Sequence, residues 1–127
     1  MIEPIQTFAG CIVPDEGYLK KCREICDRYN VLLIFDEIST GLGRTGKMLA
    51  SDYEGVKPDL LVLAKSLSGG LFPLSACLAT HDAFKWVVPG NHGSSYSSNP
   101  LACQIGQAAL KVLQEEGMIE NSASRGA

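Results

Sequence analysis

Two short apolar runs organise this chain, and each ends in an ionisable residue. Val31-Leu32-Leu33-Ile34-Phe35 runs into Asp36 and Glu37, and Leu60-Leu61-Val62-Leu63-Ala64 runs into Lys65 and the loop Ser66-Leu67-Ser68-Gly69-Gly70. Continuous apolar runs of this length predict buried strands over 31–36 and 60–65. Ahead of them, Tyr18, Cys22, Ile25, Cys26 and Tyr29 recur at helical spacing, predicting a helix over 16–29 capped by Asp15. Residues 37–57 are mixed, with turn signals at Gly41, Gly43 and Gly46. Partial alternation over 74–79 predicts a third strand. Asn99-Pro100 opens a further helix, with Leu101, Ile105, Ala108, Ala109 and Val112 inward and Gly117 at its end. Residues 121–127 carry no core-forming pattern.

Helix, strand, strand, strand, helix is a partial α/β set. Buried parallel strands need helices on both faces, and this chain supplies few, so it reads as a slice of a larger domain. In such folds the functional groups gather at the carboxyl ends of parallel strands. Asp36 and Lys65 stand at such ends, and a lysine amine placed there is the starting point for a Schiff base.

Composition narrows the class. The 127 residues are 46% hydrophobic and 20% charged, which is globular, and a chain of this size buries roughly two thirds of its unfolded surface. A net charge of −3 without a basic patch argues against nucleic acid or an anionic membrane as partner. No apolar stretch is long enough to span a bilayer, and Met1-Ile2-Glu3-Pro4 has no targeting pattern. Five cysteines without CxxC spacing read as structural thiols, not as a disulfide set or a zinc site. His81 and His92 have no metal-ligand spacing and read as loop residues.

A nucleotide-binding reading competes. Gly41 to Lys47 fits the first seven positions of the phosphate loop GxxxxGK[ST], but the eighth is Met48, which has no hydroxyl for Mg²⁺. Four residues also separate the loop from its strand, so the strand–loop–helix context fails.

A pyridoxal phosphate (PLP) site needs a lysine for the aldehyde, a carboxylate for the pyridine nitrogen and donors for the phosphate. Lys65 and Asp36 fit the first two. Gly93-Ser94-Ser95-Tyr96-Ser97-Ser98-Asn99, just before a helix, offers hydroxyls and N–H groups for the third.

At these residues the chain resembles the class III (ornithine-type) aminotransferases of PLP fold type I. The matching motifs are Glu3-Pro4-Ile5-Gln6, Leu32 to Glu37, Thr40 to Lys47, Lys57-Pro58-Asp59, Ala64 to Gly70, His92-Gly93-Ser94 and Asn99-Pro100-Leu101-Ala102. The resemblance implies an α/β fold, with residues 1–127 as part of the large, three-layer, mostly parallel PLP-binding domain and 118–127 leading toward a C-terminal domain. It implies transfer of the ω-amino group of ornithine to a 2-oxo acid, with pyridoxal 5'-phosphate as cofactor, in a homo-oligomer located in the mitochondrial matrix or the cytoplasm. Lys65 matches the Schiff-base lysine, and Asp36 the pyridine-nitrogen partner. Ser95 stands at a threonine position that reaches the phosphate of the neighbouring subunit, and Arg44 lies in a structural Arg-Thr-Gly turn.

Three departures bear on function. Ser39 replaces a glutamine that contacts the cofactor's ring hydroxyl. Thr7-Phe8 replaces Gly-Glu, whose glutamate helps gate a substrate arginine. Ser97-Ser98 replaces a pair of small residues. The family's glycine-rich phosphate loop, its ring-stacking aromatic and its substrate arginine have no counterpart in these residues. The alternative expectation is therefore a non-catalytic truncated paralogue or isoform, acting at most as an interaction module.

Overall fold

The computed structural model describes residues 1–126. Its elements are α1 (Tyr18–Arg28), β1 (Ile34–Asp36), β2 (Leu60–Leu63), β3 (Ala76–Ala79), α2 (His81–Phe84), α3 (Pro100–Glu115) and α4 (Met118–Arg125), with 3₁₀ turns at Ala50–Tyr53 and Lys65–Ser68. The sheet is mixed, in the order β1-β2-β3. β1 and β2 are parallel, with Asp36 opposite Val62; β2 and β3 are antiparallel, with Leu63 opposite Ala76. A parallel bridge from Ile2 to Phe35 continues the sheet beyond β1.

Two apolar clusters hold the layers. Leu19, Leu33, Phe35 and Val56, with Cys22 and Cys26 against them, pack α1 onto β1. Leu42, Leu63 and Leu67, with Leu74, Leu110 and Leu113, join the loop after β1, the end of β2 and α3.

Several expectations shift. Asp15 does not cap α1: the helix starts after Gly17, whose φ of 84° suits a residue without Cβ. The free N–H groups of Leu19 and Lys20 are met instead by the carboxylate of Glu54, at 3.4 and 3.1 Å. Leu19, Cys22 and Cys26 form the inner face, whereas Tyr18, Ile25 and Tyr29 are exposed. On α3 the buried positions are Ala102 and Gly106, with Leu110 and Leu113 packed against the core, while Leu101 and Val112 face out. The expected Asn99 cap is present: its Oδ1 accepts the N–H of Leu101 at 2.9 Å, ahead of Pro100. His81 sits in the short helix α2 and not in a loop.

Most of the tail is helical. α4 packs on the Gly43–Gly46 turn, and the Ser122 hydroxyl donates to the Arg44 carbonyl at 3.1 Å. No helix among the described residues is long and apolar enough to cross a membrane.

Candidate active site

Parallel pairing puts Asp36 and Lys65 at the same end of the sheet. Asp36 closes β1 opposite Val62, and Lys65 follows β2 after Leu63 and Ala64. The half-buried Asp36 carboxylate accepts the Ile38 N–H at 3.0 Å, which fixes its plane. It joins no ion pair among the described residues. A partly desolvated carboxylate without a cation is suited to a protonated nitrogen from a ligand.

Lys65 opens the 3₁₀ turn with a φ of 47°, in the left-handed region that lysine rarely occupies. Its amine donates a hydrogen bond to the Ser39 hydroxyl and lies 5.6 Å from the centroid of the Phe8 ring. Lys65 borders two cavities. One, of about 930 Å³, lies between the 65–71 loop, Leu42–Arg44 and the helices α3 and α4. The other, of about 600 Å³, runs along 70–75.

The loop carrying Ser39 is fixed by Glu37. This carboxylate is 1% exposed and accepts three hydrogen bonds: from the Thr40 hydroxyl at 2.7 Å, the Ala50 N–H at 2.9 Å and the Ser51 N–H at 2.8 Å. Glu37 is therefore a structural acid, spent on holding this loop. The turn carrying Phe8 is held by the Gln6–Ile12 bridge and by Glu3, whose carboxylate accepts from the Thr7 N–H at 3.1 Å and the Thr7 hydroxyl at 2.8 Å. Arg44 reaches the Ser66 hydroxyl at 3.5 Å.

Lys65 and Ser39 thus meet at one end of the sheet, and Asp36 closes β1 at that same end. Ser95 does not join them: it lies in the exposed loop before α3. That loop closes on itself, with Ser97 donating through its N–H and its hydroxyl to the Ser94 carbonyl. The place of Phe8 beside Lys65 had no signal in the spacing of either residue.

The phosphate-loop reading fails in three dimensions. Residues 41–47 form turns and not a helix entry, and the Lys47 amine is engaged by the Asp52 carbonyl at 3.2 Å and the Tyr53 ring at 4.5 Å.

The sequence pattern of the family described as Aminotransferase class-III matches residues 1–127. The chain belongs to the class III aminotransferases. Among similar proteins, the mitochondrial ornithine aminotransferase of Drosophila melanogaster is 56% identical over 126 residues, 99% of this chain and 29% of the relative. That of Rattus norvegicus is 56% identical over 127 residues, all of this chain and 29% of the relative. The solved ornithine aminotransferase of Plasmodium yoelii superposes with a TM-score of 0.95 at 50% identity, over 99% of this chain and 33% of that one. This class III aminotransferase chain therefore spans about three tenths of the length of the curated relatives it matches. Its fold is that of an α/β aminotransferase domain with a mixed sheet.

Proposed function

We propose that these residues form the lysine-bearing part of an ornithine-type aminotransferase, which moves the ω-amino group of ornithine to a 2-oxo acid with pyridoxal 5'-phosphate. The observation that carries this reading is the placement of Lys65 and the cation-free Asp36 at the carboxyl ends of paired parallel strands, with Lys65 bordering a cavity. The residues present fit the cofactor in kind: an amine bonded to a hydroxyl, and an unpaired carboxylate at the same end of the sheet.

When bound, the cofactor supplies a carbonyl for amines and a ring that accepts electrons from the substrate carbon. In this reading Lys65 would hold it through Nζ, and the same amine would carry a proton to and from the substrate carbon. Asp36 keeps the ring nitrogen protonated. Ser39 lends a hydroxyl near Lys65, and Ser95 contributes a hydroxyl to the phosphate bound in a neighbouring subunit of a homodimer. A mitochondrial or cytoplasmic location belongs to the same proposal.

The test is direct. The chain is incubated with pyridoxal phosphate, the adduct is reduced with borohydride, and the modified peptide is mapped. Modification concentrated at Lys65 and lost in Lys65→Ala supports the proposal. Even spread over Lys20, Lys47 and Lys111 overturns it and favours a non-catalytic paralogue. Turnover of ornithine with 2-oxoglutarate is expected to be negligible for these 127 residues alone, because catalysis requires cofactor and substrate to be held in register.

A further inference from the structure

Phe8 is 93% exposed, so its ring adds nothing to either core cluster. It is nevertheless placed with care: the Gln6–Ile12 bridge and the Glu3–Thr7 hydrogen bonds fix the turn that carries it, and the ring faces the Lys65 amine. From another segment Ser39 presents a hydroxyl oxygen to the same amine, on a loop anchored by the buried Glu37. A π face and an oxygen acceptor converging on one nitrogen are the recognition elements of a primary ammonium. Among the described residues the other lysine–aromatic contacts, Lys47 with Tyr53 and Lys85 with Trp86, join near neighbours in sequence; this one gathers three distant segments.

We propose that Ser39 and Phe8 form a seat for a primary alkylammonium. Lys65 occupies it in the free chain, and it opens to an incoming amine when Lys65 is engaged elsewhere. The second role rests on the reading of Lys65 as the cofactor lysine; the existence of the seat does not. Ser39 and Phe8 are positioning residues for the Lys65 head group, and Phe8 gives the site a preference for cationic amines over anions at that point.

Two measurements on the 127-residue chain test this. In the first, Lys65→Ala empties the seat, and n-butylammonium chloride is titrated while the Phe8 ring protons are followed by NMR. A saturable shift with millimolar affinity is expected in Lys65→Ala, and little or no shift in the parent, where the seat is filled. No saturable shift in Lys65→Ala overturns the proposal. The second is the rate of reductive methylation at Lys65 by formaldehyde and cyanoborohydride, relative to Lys57 in the same molecule. Losing one hydrogen bond or one ring contact should raise that relative rate roughly 2- to 10-fold in Ser39→Ala and in Phe8→Leu. Ser39→Thr and Phe8→Tyr, which keep the hydroxyl and the ring, should hold the parent rate. Unchanged rates in both disruptive variants, or equal rises in the conservative ones, overturn the seat. A confirmed seat with no pyridoxal phosphate at Lys65 would instead reject the cofactor reading and leave the seat standing.

Discussion

The carboxylate of Glu37 holds the Ser51 N–H at 2.8 Å, and through the Ala50 N–H and the Thr40 hydroxyl it ties the loop after β1 to the 3₁₀ turn before β2. Because that loop carries Ser39, the acid reaches the candidate site without facing it. Glu37→Gln keeps one acceptor oxygen and turns an amide donor toward donors. The expected cost is about 1–3 kcal/mol, read as a lower urea midpoint. A midpoint equal to that of the parent would show that the three hydrogen bonds carry no net stability.

Gly46 has a φ of 90°, and a Cβ there would lie 2.8 Å from the Cα of Ala123 in α4. Backbone cannot yield as a side-chain tip does. Gly46→Ala should therefore lift α4 from its turn at a cost of about 1–3 kcal/mol. Hydrogen exchange should rise across 119–125 while the β1–β2 amides keep their protection; uniform loss of protection would count against a local effect.

Asp59 predicts an acid-side dependence. Burial alone pushes its carboxyl up, but the Leu33 N–H at 2.7 Å and the Arg23 guanidinium at 2.8 Å outweigh it and hold the carboxyl below its ordinary value. A carboxyl lowered on folding adds stability above its unfolded value, about 3.9, and loses it as the pH falls through the folded value. At pH 7, Asp59→Asn should cost about 1–2 kcal/mol, since charge-assisted bonds exceed neutral ones. That gap should narrow as the pH drops below about 4. A gap that widens in acid would reverse the assignment.

Ser39→Gln should strengthen pyridoxal phosphate capture at Lys65. The longer amide reaches further toward a ring hydroxyl and withdraws the hydroxyl that now holds the lysine amine. The concentration giving half-maximal labelling should fall roughly 2- to 10-fold, the worth of one hydrogen bond. Equal half-maximal concentrations would remove this reason for weak binding.

The strand ends were readable because an ionisable residue closing an apolar run stands out. Lys65 and Asp36 follow from that, and the pairing of Asp36 with Val62 places them on one end of the sheet. The start of β1 was not readable, since the expected strand over 31–36 begins only at Ile34 and leaves Val31 and Leu32 exposed. What escaped the sequence depends on partners distant along the chain. The α1 cap comes from Glu54, which helical spacing cannot reveal. α4 is short, and its site on the turn at Gly43–Gly46 exists only after folding. On α3 the inward stripe follows Ala102 and Gly106, whose small side chains permit close approach: a Cβ on Gly106 would come within 2.7 Å of Leu74. The stripe expected through Leu101, Ile105, Ala108, Ala109 and Val112 misses these positions, and Leu101, Ala108 and Val112 are exposed. The meeting of Phe8, Ser39 and Lys65 was invisible for the same reason.

The left-handed backbone of Lys65 sets chemistry against durability. A lysine at φ 47° carries conformational strain of about 1–3 kcal/mol, which glycine would largely relieve at some entropic cost in the unfolded chain. Lys65→Gly should accordingly fold at least as stably as the parent, measured by urea midpoint, while losing all pyridoxal phosphate labelling at that position. A screen for stability alone would discard the one residue on which the proposed reaction depends, so a tolerant result at position 65 would mark function and not indifference.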